Sequence, residues 1–352
     1  MDVTAGQAWL DERAAANLFS GAALVTRAGE TVFEHAAGLA HRGHGIPVST
    51  TSRFGTASIT KLVTAIAALR LVERGAIALD QPLVEVLPPE HRPSALTEQH
   101  TLHHLLSHTS GLANYHDDDA TTWESFTSCW DRIPTYHLRR PADMLPLFAD
   151  LPAFAAPGEV YRYGDSNFIL AGLAIEAVTG RPYDEVATDE VLRPAGMVDT
   201  AFDAIDDEPA RLATGYLVSD EAPERWRTNV YSVPAGGMPD GGLFSSTHDL
   251  ARLIDALLAG EMLAAETVEL MTTPRGPASD DVEQYGYGCK LVVEDGAVTI
   301  IGHGGSDPGV SGLVSHHLAS ATTIVVLCNH DRGSWAATQH LTAALGLHDP
   351  RE

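Results

Sequence analysis

The chain has 352 residues, 44% of them hydrophobic and 20% charged, which gives enough apolar material for a large core and too few charges for a disordered chain. A formal net charge of -25 repels phosphate backbones and anionic lipid surfaces, which sets nucleic acid and membrane aside as partners. Cys129, Cys289 and Cys328 are odd in number and widely spaced, which fits neither a disulfide framework nor a zinc pattern.

The polar start Met1-Asp2-Val3-Thr4 lacks the basic and apolar runs of a secretory signal, and no apolar run is long enough to span a bilayer; the expected location is the cytoplasm. A polar, helix-like stretch follows. Residues 21–38 then alternate around the turn Arg27-Ala28-Gly29-Glu30 and read as a strand hairpin. From Ser58 the pattern becomes helical, with Leu62, Ile66, Leu69 and Val72 on one face, apolar residues on the others and Gly75 as the stop; a helix apolar all round is a buried one. Residues 101–108 read as a short helix stopped near Gly111. Residues 115–157, rich in Asp, Pro and Trp, read as loops and short helices forming a lid or wall. Helices are expected over 167–178, stopped by Gly180, and over 247–258, capped by Ser246 or Thr247 and closed by Gly260. Strands follow over 287–294 and 297–302 around an Asp295-Gly296 turn, then over 310–316 and 322–328, with a closing helix over 334–345. Strands at both ends and helices between them predict an α+β fold. Its antiparallel sheet is built from both chain ends and flanked by helices, with a mainly helical subdomain over 76–239 inserted between sheet segments 1–75 and 240–352.

Three stretches carry chemistry. In Ser58-Ile59-Thr60-Lys61 the serine and lysine stand three apart, so a helix places them on one face. A serine hydroxyl needs a base, and Lys61 serves as one only if burial or a cationic neighbour lowers its pKa. Lys61 and Lys290 are the only lysines, so a lysine inside a motif stands out. The tyrosines of Tyr161-Arg162-Tyr163-Gly164-Asp165 precede a helix, where a phenol can shuttle a proton. Gly302-His303-Gly304-Gly305-Ser306 lies on an expected strand whose glycines permit close approach of another backbone or a ligand. A strand N–H facing the N–H of Ser58 would hold an acyl oxyanion.

The order Ser-x-x-Lys, Tyr-x-Asn-like, His-x-Gly resembles the penicillin-binding protein and class C β-lactamase superfamily, and more closely its branch of D-alanyl-D-alanine carboxypeptidases, D-aminopeptidases and esterases. Supporting strings are Phe54-Gly55-Thr56-Ala57-Ser58, the run from Leu105 to Leu112, Pro157-Gly158, and Gly241-Gly242-Leu243-Phe244-Ser245-Ser246-Thr247 followed by Asp249-Leu250. The resemblance implies Ser58 as acylated nucleophile, Lys61 as its proton partner, Tyr163 as co-catalyst and His303 where β-lactamases carry lysine. It further implies an oxyanion hole from Ser58 and Ser306, with Gly304 and Gly305 beside the substrate, and no cofactor or metal. The substrate class it implies is a small ester, peptide or amide. β-Lactam hydrolysis, acyl transfer, peptide cyclisation and a non-catalytic binding relative are the alternatives, and the oligomeric state is left open.

One departure stands out: Asp165 occupies the place of the family's asparagine. An ionised carboxylate cannot donate to a substrate carbonyl, and near Lys61 it would raise the lysine's pKa. Three arrangements are open: the carboxylate turned away, held by other donors, or facing a cationic or hydroxyl-bearing substrate. His104 and His108, four apart, with Asp117 to Asp119 nearby, offer a competing metal site, but no His-Glu-x-x-His pattern accompanies them. There is no Gly-x-Ser-x-Gly elbow, phosphate loop or dinucleotide fingerprint.

Overall fold

In the computed structural model, residues 3–116, 122–207, 209–218, 225–277, 279 and 281–351 are described. Helix α1 (Val3–Ala15) leads into strands β1 (Gly21–Arg27) and β2 (Glu30–Ala37). Their turn places Ala28 and Gly29 at φ of 49° and 82°, the left-handed pair that matches strand twist in a tight hairpin. Helix α2 (Thr60–Glu73), α3 (Leu102–Leu106), α4 (Asp165–Thr179) and α5 (Thr247–Leu258) make up the main helical layer. Strands β3 (Glu283–Tyr285), β4 (Lys290–Glu294), β5 (Ala297–Asp307), β6 (Val310–His317) and β7 (Thr322–Cys328) precede helix α6 (Ser334–Ala344).

The seven strands form one sheet in the order β2-β1-β7-β6-β5-β4-β3, antiparallel throughout. Strand β1 pairs with β7 from Gly21 opposite Cys328 to Arg27 opposite Thr322, so both chain ends share one sheet, as the element pattern led us to expect. Alternation sends Leu24, Val325 and Leu327 to the cluster under α2, α4 and α5, and Val25, Ile324 and Val326 to the one under α1 and α6. Both faces of β1 and β7 are thereby buried, which is why these strands read as continuous apolar runs.

Helix α2 is the buried pillar, with Leu62, Val63, Ala65, Ile66 and Leu69 in the core. The expected helix from Ser58 begins differently. Residues Ala57–Ile59 form a 3-10 turn, entered through Ala57 at φ 46°, and the α-helix starts at Thr60. The expected strand over 287–294 begins only at Lys290, and the separate strand β3 precedes it. Gly288, at φ 68°, makes a turn between β3 and β4, and β5 runs on to Asp307. In the wall over 115–157, Trp123–Phe126, Thr127–Asp131, Thr135–His137, Pro141–Met144 and Leu145–Phe148 are short helical turns. Asp117 to Asp119 lie outside the described residues. No helix among the described residues is long and apolar enough to cross a membrane.

Candidate active site

The 3-10 turn and the first turn of α2 bring Ser58 and Lys61 together: Lys61 Nζ donates to Ser58 Oγ at 2.9 Å. Its other two N–H groups reach Asp165 Oδ1 at 2.7 Å and the Asp240 carbonyl at 2.8 Å, so the ammonium is saturated. The side chain is wholly buried. Burial would strip its proton, but the carboxylates of Asp165 and Asp240 and the Tyr163 phenol outweigh burial and hold the Lys61 pKa above the lysine value. Asp165 is the first residue of α4, where the positive end of the helix dipole favours a carboxylate. Burial pushes Asp165 up, but Lys61 and His116 bring it below the ordinary range. Of the three arrangements left open by the sequence, the carboxylate therefore takes the second, held by Lys61.

Two further acids stand close by. Tyr115 Oη donates to Asp240 Oδ2, while the Asp240 Oδ1 atom is buried with no hydrogen-bond partner among the described residues. Burial, reinforced by Asp165 and opposed by Lys61, pushes Asp240 up to about 6. Asp307, at the end of β5, is held well above the carboxylate range by burial and by the charges of Asp165 and Asp240.

On the other side the groups are neutral. The Tyr163 ring lies 5.0 Å from Lys61 Nζ, and burial pushes its phenol up to about 12 against the pull of Lys61. His108 packs 4.3 Å from the Tyr163 ring, and its Nδ1 accepts from the Gly164 N–H at 3.2 Å. His303 Nδ1 faces the Gly304 carbonyl at 2.5 Å, an acceptor only, so Nδ1 carries the proton and Nε2 accepts from Tyr285 Oη at 3.0 Å. Burial, together with the charge of Lys61, holds both imidazoles well below the ordinary histidine value.

Strand β5 passes directly against the nucleophile turn. A Cβ on Gly305 would overlap the Thr56 carbonyl oxygen and stand 3.0 Å from the Ser58 nitrogen. Only glycine permits that approach. With a period of two, His303, Gly305 and Asp307 share one strand face and Gly304 and Ser306 the other. Ser58 lies where two cavities meet. One is lined by Tyr163, His303, Gly304, Gly305 and Ser306, the other by Asp165, Asp240, Asp307, Tyr115 and Trp130.

The expected site residues thus converge on Ser58. Lys61 touches it, Asp165 touches Lys61, and Ser306 lines the same cavity. His303 is bonded to Tyr285 and to its own strand. Sequence reasoning assigned no role to Tyr115, Asp240, Tyr285 or Asp307. The strand period through Gly305 was the one signal that could have marked Asp307. The histidine cluster is committed elsewhere: His104 Nδ1 meets Thr101 Oγ1 at 2.9 Å in the cap of α3, and His103 Nδ1 meets Tyr287 Oη at 2.8 Å. No group of three potential metal ligands occurs among the described residues.

Residues 7–347 match the family described as Beta-lactamase. Esterase EstB of Burkholderia gladioli is 32% identical over 274 residues, which is 71% of this chain and 68% of that protein. A penicillin binding protein from Bacillus halodurans superposes with a TM-score of 0.87 at 35% identity, covering 93% of this chain and 97% of that one. A D-stereospecific amidohydrolase from Streptomyces gives a TM-score of 0.77 at 27% identity over 96% and 98% of the two chains.

Proposed function

We propose that this chain, which belongs to the Beta-lactamase family and is a serine hydrolase of that fold, cleaves small esters or D-amino-acid-type amides through an ester formed on Ser58 Oγ. The esterase and the D-stereospecific amidohydrolase among its relatives support that substrate range. The observation that carries the mechanism is the buried chain of contacts from Ser58 Oγ through Lys61 Nζ to Asp165 Oδ1.

Lys61 rests as an ammonium, so it cannot take a proton without giving one up. As Ser58 Oγ bonds to the substrate carbonyl carbon, the serine O–H breaks and its proton joins Lys61, while a Lys61 proton moves to Asp165. The pair then holds the serine proton on the carboxylate, with no net charge separation added to a buried site. The carbonyl oxygen, now negative, lies against the N–H groups of Ser58 and Ser306. Tyr163, neutral because its pKa is raised, protonates the leaving group and is recharged from Lys61, which recovers its proton from Asp165. Water then attacks the Ser58 ester by the reverse path.

Mass spectrometry after a fluorophosphonate tests the nucleophile, and a panel of short nitrophenyl esters, D-alanine amides and a chromogenic cephalosporin tests the range. The expected result is one adduct on Ser58, with turnover of esters and D-amides that disappears in Ser58→Ala. An unlabelled Ser58, or activity surviving Ser58→Ala, would overturn the reading.

A further inference from the structure

The two cavities that meet at Ser58 differ in size: about 70 Å³ on the Asp165 side and about 460 Å³ on the Tyr163 side. Tyr163 supplies the leaving group's proton, so the leaving group belongs in the larger cavity and the acyl part in the smaller. The larger cavity also continues past the nucleophile. Strand β4 pairs with β5 only as far as Lys290 opposite Gly302, whereas β6 follows β5 to Asp307. Among the described residues, the β5 edge beyond Gly302 therefore has no strand neighbour on the β4 side. The cavity lining passes round that edge, from Ser58 and Tyr163 on one face of the sheet to Ile300, Leu313 and Trp335 on the other.

Two glycines hollow out the far face. With a period of two, Gly302 and Gly304 share it with Ile300 and put no side chain there. A Cβ on Gly304 would stand 3.3 Å from Cδ1 of Leu313, its cross-strand neighbour, so glycine leaves that leucine as open floor. Trp335, in the first turn of α6, forms a wall; it is 44% exposed, and the Arg351 guanidinium lies 5.5 Å from its ring centre. The charges around this groove are already paired: Lys290 with Glu283 at 2.7 Å, Arg351 with Asp349 at 2.6 Å, and Asp331 with Arg332 at 4.0 Å. A charged occupant would lose its hydration and find no free counter-charge, whereas an apolar one would take Leu313, Ile300 and the indole out of water.

We propose that the preferred leaving group is an uncharged alcohol with an extended apolar tail, which crosses the free edge of β5 at Gly304 and lies in this groove against Leu313 and Trp335. The preferred substrates are then esters that join a small acyl group to an arylalkyl alcohol. The occupant is fixed by continuity: the groove opens onto Ser58, so what fills it is tethered to the carbonyl under attack. The bond that breaks joins that carbonyl carbon to the alcohol oxygen, which takes its proton from Tyr163 and leaves with the tail. A leaving group that ends in a carboxylate is disfavoured, because both groove cations are engaged. This inference rests on the Ser58 acyl-enzyme reading and adds to it the side on which selectivity is exercised.

The test compares three acetates at pH 7: ethyl, 3-phenylpropyl, and 3-(4-carboxyphenyl)propyl. All three release primary alcohols, so their intrinsic reactivities are close and the ratios read binding. The phenylpropyl ester should exceed the ethyl ester at least about tenfold in kcat/KM, and the carboxylated ester at least about fivefold. Trp335→Ala should lower the phenylpropyl-to-ethyl ratio at least about fivefold. Fluorophosphonate labelling of Ser58 reports whether the nucleophile is assembled in each protein. Calorimetry on Ser58→Ala with 3-phenylpropan-1-ol against its 4-carboxy form reads the groove without turnover, and decides the matter if Trp335→Ala fails to fold; the uncharged alcohol should bind more tightly. With Ser58 labelled, equal handling of the ethyl and phenylpropyl esters, a ratio unmoved by Trp335→Ala, or preference for the carboxylated tail overturns the groove alone. Absence of labelling overturns the acyl-enzyme reading, and the calorimetry then judges the groove by itself.

Discussion

Lys61 and His303 are both buried beside Ser58, yet one is held charged and the other neutral. Burial penalises the cationic form of each. Lys61 has a carboxylate in contact and keeps its proton; His303 has a phenol and a carbonyl and feels two lysines, so burial wins. The partner, more than the depth, sets the charge. The two sides of the nucleophile therefore differ in kind: a charged store of protons on one, and uncharged relay groups on the other.

The largest effect that would break this contrast comes from removing the cation. Lys61→Met leaves Asp165 buried without its partner, and we expect loss of about 3–5 kcal/mol in urea denaturation together with at least about a thousandfold loss in kcat/KM. The double variant Lys61→Met/Asp165→Asn should recover much of the stability and none of the activity. A single variant as stable as the wild type would show the pair to be dispensable to the fold.

Asp165→Asn sharpens the contrast by removing the store and keeping the lysine. In the wild type, Lys61 titrates above its usual 10.5 and Asp165 below its usual 3.8. The stability from Lys61 is therefore present through neutral pH and lost only as pH rises through its raised value. That from Asp165 is present above 3.8 and lost as pH falls through its lowered value. With asparagine, the lysine loses the largest of the groups that hold its proton against burial, and the uncharged amine must serve as base. The acid limb of the kcat/KM profile should move upward by about one pH unit or more. An unmoved limb would mean that Asp165 holds no catalytic proton.

The smallest effect belongs to the neutral side. Tyr285→Phe leaves His303 Nε2 without its donor, at a cost of about 1–2 kcal/mol in thermal unfolding and a change in kcat within about tenfold. A thousandfold loss would put His303 among the groups that touch substrate.

The contrast also marks what could be read in the residues alone. Ser58 and Lys61 were legible because helical spacing is a local rule, and β1, β6 and β7 because alternating or continuous apolar runs have few other uses. Gly29 and Gly296 marked their turns for the same reason. Asp165 was visible as a departure, and its possible conflict with Lys61 could be stated; that the conflict is resolved by direct pairing needed the packing of α4 on α2. Asp240, in Pro239-Asp240-Gly241-Gly242, has the look of any turn acid, and its neighbours come from Lys61 and Tyr115, both more than 100 residues away in sequence. Tyr285 sits in β3, a separate strand ahead of the expected one over 287–294, because Gly286 and Gly288 interrupt the pattern. The 3-10 turn at Ala57 has no signature in composition: an alanine at positive φ is held there by tertiary packing against β5.

That packing constrains how this molecule can diversify. With no room for even a methyl group at Gly305, the strand beside the nucleophile is a fixed template, and a change of selectivity cannot begin there. Descendants with new preferences must vary the opposite rim, where side chains from several loops contribute independently and a single exchanged acid or aromatic redraws the accepted chemistry while the proton machinery stays untouched.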